Sequence, residues 1–197
     1  MIILALDQAT TTGFSVVTDA GAVLASGVWR LADKKRTGES RGMRYVRFRK
    51  YLTDALDREY LGEKISIICH EQTLLRGGAA TEIANGLKAR ILQSAAERGL
   101  DVTCVHTTEL KKWATGSGKA EKPDMVKAAN LLSGRAPADD NEADAILIGL
   151  WASSIYGVFP APIWASKKKA PKRKRASGQS KNPGSFGSGP IDPFGIL

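Results

Sequence analysis

Four carboxylates stand out in this sequence because they end or interrupt apolar segments. Asp7 ends IILALD, Glu71 ends ISIICHE, and Asp140 and Asp144 lie in DDNEADAILIGL. A carboxylate at the edge of a buried element loses hydration, which is unfavourable unless the group is paired, hydrogen-bonded or bound to a cation. Acids at two strand ends and on one helix are typical of a site for magnesium-dependent phosphodiester hydrolysis.

The spacing of these acids allows them to meet. If the strands ending at Asp7 and Glu71 are neighbours in one sheet, both carboxylates project from the same edge. Asp140 and Asp144 are four residues apart and would share one helix face. Four close acids repel one another unless cations hold them ionised. Two Mg²⁺ ions about 3.5–4 Å apart, or Mn²⁺ in their place, would do this and would activate water and stabilise a leaving oxygen.

The elements that must position these acids follow from hydrophobic periodicity. Residues 2–7 predict a buried strand, and the segment after it predicts two more strands with a turn at Asp19-Ala20-Gly21. The later elements are a helix over 40–60, a strand over 65–69, a helix over 79–98, a strand over 101–106, and helices over 123–132 and 141–156. This β-β-β-α-β-α-β-α-α order predicts an α/β fold with a mixed central sheet and helices on both faces.

Composition divides the chain into a body and a tail. We expect a folded domain over 1–160 and a flexible basic tail over 161–197, because the tail is rich in Pro, Gly, Ser and Lys and poor in core-forming residues. From Ser166 onward the chain has eight of its 29 Lys and Arg residues but one of its 20 Asp and Glu residues, so most of the +9 charge lies there. We expect a cytoplasmic protein without a membrane span, since Met1 leads directly into a strand pattern and no apolar run is long enough to cross a bilayer.

Four segments together resemble a known family. They are LALDQATTTGFSVV, ICHEQ, ELKKWATGSGKAEKPDMV and DDNEADAILIG. The chain resembles the RuvC-type crossover junction endonucleases of the ribonuclease H-like superfamily, in their phage-type form, over about residues 2–156. The resemblance implies a ribonuclease H-like fold and a homodimer that binds a four-way DNA junction and nicks two strands symmetrically with Mg²⁺.

By this resemblance, Asp7, Glu71 and Asp144 are metal ligands. The bacterial pattern has its fourth acid where this chain has Asn141, so we assign that role to Asp140, one residue earlier. Lys122 is assigned to the catalytic site. The predicted DNA-binding residues are Lys111, Lys112, Lys119, Lys122, Leu74, Arg76, Lys167, Lys168, Lys169, Lys172, Arg173, Lys174 and Arg175. Leu74 stands near the position where bacterial members have an aromatic wedge, so strict sequence preference at the cut is not expected.

Each of these residues also has a structural interpretation. Asp7 could cap the polar turn after its strand, Glu71 could be a surface acid, and Asp140 could be the N-cap of the last helix. His70 is expected to point away from the face of Glu71, since neighbouring strand residues alternate. Trp113 and Trp151 are expected in the core. Cys69 and Cys104 are expected to be buried reduced thiols, because no spacing suggests a zinc site.

Three other functions compete with the junction nuclease. The turn ALDQATTTGF also resembles the phosphate-binding hairpin of sugar kinases and actin-like ATPases, but those enzymes need two such domains. A non-catalytic DNA-binding protein of this fold would not need clustered acids, which repel DNA. A ribonuclease H acting on RNA–DNA hybrids usually has its second carboxylate on the first helix, whereas Glu71 ends the strand after that helix. The junction nuclease is therefore favoured.

Overall fold

The computed structural model describes residues 1–32, 38–72 and 78–164, which form five strands and five helices. The strands are β1 (Ile2–Asp7), β2 (Thr11–Thr18), β3 (Val23–Arg30), β4 (Ile65–Glu71) and β5 (Asp101–Val105). The helices are α1 (Met43–Asp57), α2 (Gly78–Ala96), α3 (Thr107–Thr115), α4 (Lys122–Ser133) and α5 (Asp140–Tyr156).

The strands form one mixed sheet in the order β3-β2-β1-β4-β5. β1 pairs with β2 and β2 with β3 in antiparallel fashion, and β1-β4 and β4-β5 are parallel pairs. β1 is buried almost throughout, as its continuous apolar run predicts. The predicted α/β fold with a mixed central sheet is therefore confirmed, and β1 and β4 are direct neighbours.

Each face of the sheet has its own hydrophobic core. On one face, α1 and α2 contribute Phe48, Leu52, Leu87 and Ile91, which are almost fully buried together with Leu4 of β1. On the other face, α3, α4 and α5 pack over the sheet. Trp113 and Trp151 are both buried there, as predicted. The arrangement places the last three helices on the side of the sheet opposite to α1 and α2.

α5 lies directly on β2 along a line of short side chains, here called the β2–α5 seam. Its α5 side consists of Asn141, Ala145, Gly149 and Ser153, spaced four apart, and its β2 side consists of Gly13, Ser15, Val17 and Thr18. At one end, a Cβ added to Gly13 would lie 1.9 Å from the carbonyl oxygen of Asn141. Further along, the Ser15 hydroxyl donates to the carbonyl of Ala145 at 2.8 Å. The seam therefore sets the height of α5 above the sheet.

Two predictions about local structure are wrong. α3 was not predicted, although His106 caps it by accepting a hydrogen bond from the Thr108 N–H at 3.2 Å and Gly116 ends it with φ of 83°. With nine residues it is too short to show clear periodicity. Cys104 is exposed, because it lies on the edge strand β5, whereas Cys69 on β4 is buried as predicted.

None of the helices within the described ranges has both the length and the apolar character that a membrane span requires.

We expect Gly13→Ala to destabilise the fold by about 1–3 kcal/mol, because the new methyl group overlaps the backbone of α5 at Asn141 and the helix must move. Urea denaturation followed by circular dichroism would measure this loss. Gly42→Ala is the matched control, since its φ is −61° and the nearest atom to an added Cβ, Ser40 Oγ, lies 3.5 Å away. Equal unfolding free energies for the two variants would contradict the close approach.

Candidate active site

Asp7 and Glu71 lie side by side at one edge of the sheet, here called the carboxylate edge. β1 and β4 are parallel, and Leu6 is in register with His70, so the next residue of each strand is the carboxylate. Both side chains are partly buried. The condition under which the two acids meet at one edge, that their strands are neighbours, is therefore met.

α5 brings a third acid, Asp144, to the same place. The pKa of Asp7 is raised well above its ordinary value by burial and by repulsion from Glu71 and Asp144. The pKa of Asp144 is raised to about 6, first by burial and then by the charges of Glu71 and Asp140. Both pKa shifts arise because the carboxylates lie close together and are largely shielded from water.

Asp140 is in a different environment from the other three acids. Its carboxylate forms an ion pair with the ammonium group of Lys122, and this bond lowers the pKa of Asp140 and raises that of Lys122. The N-cap of α5 is Asp139, which accepts a hydrogen bond from the Glu142 N–H at 2.9 Å. The alternative that Asp140 is the N-cap is therefore wrong, and its carboxylate is left to face Lys122 and the other acids.

The predicted lysines separate into two groups. Lys111 and Lys122 are close enough to the acids for their charges to lower the pKa of Asp144. Lys112 is exposed on the next face of α3, and Lys119 lines a cavity of about 380 Å³ between α3, α4 and Trp164. The structure thus brings Lys111 and Lys122 to the carboxylates and places Lys119 in a separate cavity.

Glu71 is held at both its side chain and its backbone. The Thr107 hydroxyl donates to Glu71 Oε1 at 2.6 Å, and Gln8 Nε2 donates to the Glu71 carbonyl at 2.5 Å. His70 Nδ1 lies 2.7 Å from the same carbonyl, to which it donates when it carries the proton. Burial lowers the pKa of His70, which is almost fully enclosed as expected for a packed histidine.

Sequence analysis missed Gln8 and Thr107 as residues of this site. Gln8 follows Asp7 directly and is buried. Its burial was not predictable, because polar residues in turns are usually exposed. Thr107 begins α3 and lies one helical turn before Lys111, so the two share a face. Thr107 can be assigned to the site only once α3 is recognised, because the helix determines where the side chains of Thr107 and Lys111 point.

The carboxylates are a chemically suitable set of ligands for a hard divalent cation. All four offer oxygen, which Mg²⁺ prefers, and the buried Oδ1 of Asp144 has no hydrogen-bond partner within the described part of the chain. Although these carboxylates are close enough to affect one another's pKa, no three Asp, Glu, His or Cys side chains among the described residues are arranged to hold one ion. Lys122 holds the Asp140 carboxylate, and Thr107 holds that of Glu71.

Several predicted residues lie outside the described ranges. They are Leu74 and Arg76 in the loop after β4, and Lys167, Lys168, Lys169, Lys172, Arg173, Lys174 and Arg175 in the tail. Their assignment to DNA binding and the division of the chain at residue 160 stay predictions.

The raised pKa of Asp144 predicts a pH-dependent stability. The folded protein binds this proton more tightly than the unfolded chain, so the stabilisation is complete below the ordinary pKa of 3.8 and is lost as the pH rises through about 6. We expect Asp144→Asn, which resembles the protonated acid, to be up to about 3 kcal/mol more stable than the original chain at pH 8 without divalent cations. The difference should shrink towards pH 4.

Urea denaturation with a chelator between pH 4 and pH 8 measures this difference. The exposed acid Asp101 provides the control variant Asp101→Asn, which should show no comparable gain at high pH. A gain for Asp144→Asn that is the same at both ends of the pH range would refute the electrostatic explanation.

Comparison with known proteins places this site in context. No protein-family model matches the chain. The chain is 28% identical over 156 residues to the crossover junction endodeoxyribonuclease RuvC of Anaeromyxobacter sp. strain Fw109-5, which covers 76% of this chain and 71% of that protein.

Two solved structures share the fold. RuvC of Thermus thermophilus is 22% identical with a TM-score of 0.64, covering 79% of this chain and 95% of that one. T. thermophilus RuvC in complex with a Holliday junction substrate is 21% identical with a TM-score of 0.64, covering 76% and 90%. The chain is therefore similar in sequence to a RuvC endonuclease and shares the fold of T. thermophilus RuvC.

Proposed function

We propose that this chain is a metal-dependent endodeoxyribonuclease that resolves four-way junctions or related branched DNA by hydrolysing phosphodiester bonds. The observation that carries the proposal is the grouping of Asp7, Glu71 and Asp144 at one edge of the sheet, where burial and then mutual repulsion raise the pKa of Asp7 and Asp144. The sequence relative is named for this activity, and one structural neighbour was solved with a Holliday junction substrate. Because one fold can serve many functions, the proposal rests more on the acids and lysines of the site than on the fold.

The four carboxylates would hold the cation, with Asp7, Glu71 and Asp144 as ligands and Asp140 as the fourth. Bound Mg²⁺ or Mn²⁺, two ions in each site, would supply an activated water and a charge that stabilises the leaving oxygen. The chain itself orients the ligands. Thr107 fixes the Glu71 carboxylate, and the β2–α5 seam fixes the helix that carries Asp144. This preorganisation limits the movement that cation binding requires.

The two lysines near the acids would bind the substrate. Lys111 is half-buried on α3, while Lys122 is exposed at the first turn of α4. An ammonium group beside the carboxylates gives the DNA phosphate a favourable electrostatic contact at a place that the acids would otherwise make repulsive. We therefore assign both lysines to the phosphates next to the cleaved bond.

Assembly and outer DNA contacts complete the proposal. Symmetric nicking of a four-way junction needs two sites, so we propose that the protein acts as a homodimer. Leu74 and Arg76 would contact the junction, and the basic tail residues 167–175 would add phosphate contacts, each of which releases counterions and steepens the salt dependence of binding.

The proposed function predicts the behaviour of a variant that keeps the shape of the site. Asp144→Asn should reduce Mg²⁺-dependent cleavage of a synthetic four-way junction by at least about a hundredfold, because a cation ligand and its charge are lost, while junction binding survives. Cleavage and gel-shift assays on the same protein measure both. Asp101→Asn is the control and should cut normally. If Asp144→Asn cuts as fast as the original chain, the site assignment is wrong.

The substrate class is tested in the same assay. Four-way junction, three-way junction, flap, plain duplex and RNA–DNA hybrid should be compared with and without Mg²⁺. The proposal expects branched DNA to be cut in preference to duplex and hybrid. Preferential cutting of the hybrid would indicate a ribonuclease H instead, and binding without any cutting would indicate a non-catalytic DNA-binding protein.

The fourth ligand can be assigned with two neighbouring acids. Asp140→Asn should lower activity at limiting Mg²⁺ and raise the Mg²⁺ concentration needed for half-maximal cleavage by about tenfold or more. Asp139→Asn is a matched control, because asparagine is an equally good N-cap and the helix start is preserved. Equal Mg²⁺ requirements in the two variants would remove Asp140 from the site.

A further inference from the structure

We propose that α1 and α2 form a second DNA-binding surface, which holds the phosphodiester backbone of an arm of branched DNA. This surface is here called the α1–α2 basic face. It consists of Arg41 just before α1, Arg44, Tyr45 and Arg49 on α1, and Arg90 on α2. It lies on the sheet face opposite to α3, α4 and α5, so it is separate from Lys111 and Lys122. The inference rests on the proposed function and names where one arm of that substrate binds.

The connectivity places the start of both helices at the carboxylate edge. β3 ends at that edge, since Arg30 pairs with Thr11 and the Leu31 N–H donates to the Thr10 carbonyl at 3.0 Å. The guanidinium group of Arg47 on α1 donates to the Leu31 carbonyl at 2.8 Å, which ties the first half of α1 there. α2 begins at Gly78, shortly after β4 ends at Glu71. DNA that crosses the carboxylate edge would therefore meet the starts of α1 and α2 first, with Arg41 and Arg44 nearest the edge and Arg49 and Arg90 further along the helices.

The surface between the two helices is concave. A groove of about 240 Å³ is flanked by Arg49 and Arg90, and a second groove of about 270 Å³ is flanked by Arg41 and Arg44. Tyr45 lines both grooves. Its ring is fixed in place because it packs against Gly86 of α2, where an added Cβ would lie 2.5 Å from the ring. The arginines thus surround a fixed aromatic side chain.

The charges of this face are unbalanced. Arg41, Arg44 and Arg49 form no ion pair with any carboxylate in the described ranges, and Glu82 is the one acid lining the two grooves. Other cations of the same helix are paired, such as Lys50 with Asp54 at 2.8 Å. An ordinary solvated helix face mixes both signs, so an unpaired set of guanidinium groups indicates an anionic partner. DNA phosphates offer such anions at regular spacing.

The test removes two charges and keeps most of each side chain. Arg44→Gln/Arg49→Gln should weaken binding of a four-way junction by at least about tenfold near 0.1 M salt and should reduce the slope of log affinity against log salt by about 2. The control Arg58→Gln/Lys64→Gln removes two exposed charges at the opposite end of α1 and β4 and should leave the slope unchanged. Fluorescence anisotropy between about 50 and 200 mM salt measures the affinity and its salt slope for both double variants.

Two results would overturn the inference. One is an unchanged salt slope in Arg44→Gln/Arg49→Gln. The other is a change of oligomeric state in sedimentation velocity, which would make this face a contact between copies of the chain. Cleavage by the original protein separates this test from the proposed function. If the original chain cuts no junction, the proposed function fails, while the salt slope on plain duplex still tests the α1–α2 basic face.

Discussion

The close contact of α5 with β2 is the constraint on which the candidate site depends. Gly13 pairs with Asp7 across the β1–β2 ladder and at the same time touches the backbone of α5 at Asn141. One small residue therefore links the strand that carries the first acid to the helix that carries the last. A helix raised by one methyl group would carry Asp144 away from Asp7 and Glu71, whose own positions are set by the register of two parallel strands.

The acids are unfavourable for the stability of the fold on their own, and the surrounding residues reduce that cost in different ways. Lys122 neutralises Asp140, Thr107 donates to Glu71, and Lys111 lowers the pKa of Asp144 by its charge. The pKa of Asp7 is raised by burial and by the charges of three neighbouring carboxylates, Glu71, Asp144 and Asp140. Such an arrangement favours the binding of cations, since bound positive charge relieves the repulsion that folding creates.

Hydrophobic periodicity in the sequence was enough to predict the longer helices and strands. It was not enough to predict features that depend on contacts between elements. The apolar run of β1 and the long pattern of α5 predict the elements that carry Asp7 and Asp144. α3 was missed because nine residues bounded by His106 and Gly116 show too little of a helical repeat. Without α3, neither the role of Thr107 nor the direction of Lys111 was predictable. That Asp139 is the N-cap of α5 became clear only from the hydrogen bond itself.

The position of α5 in the chain has a consequence for biosynthesis. It is the last described helix, and it contributes to the core of one whole face of the sheet. Asp7 is synthesised well before Asp144, because four helices and four strands lie between β1 and α5 in the chain. The long-range β2–α5 seam must form before the acids meet, which makes assembly a late folding event. A nascent or shortened chain that lacks α5 would therefore lack Asp140 and Asp144 and have an incomplete carboxylate site.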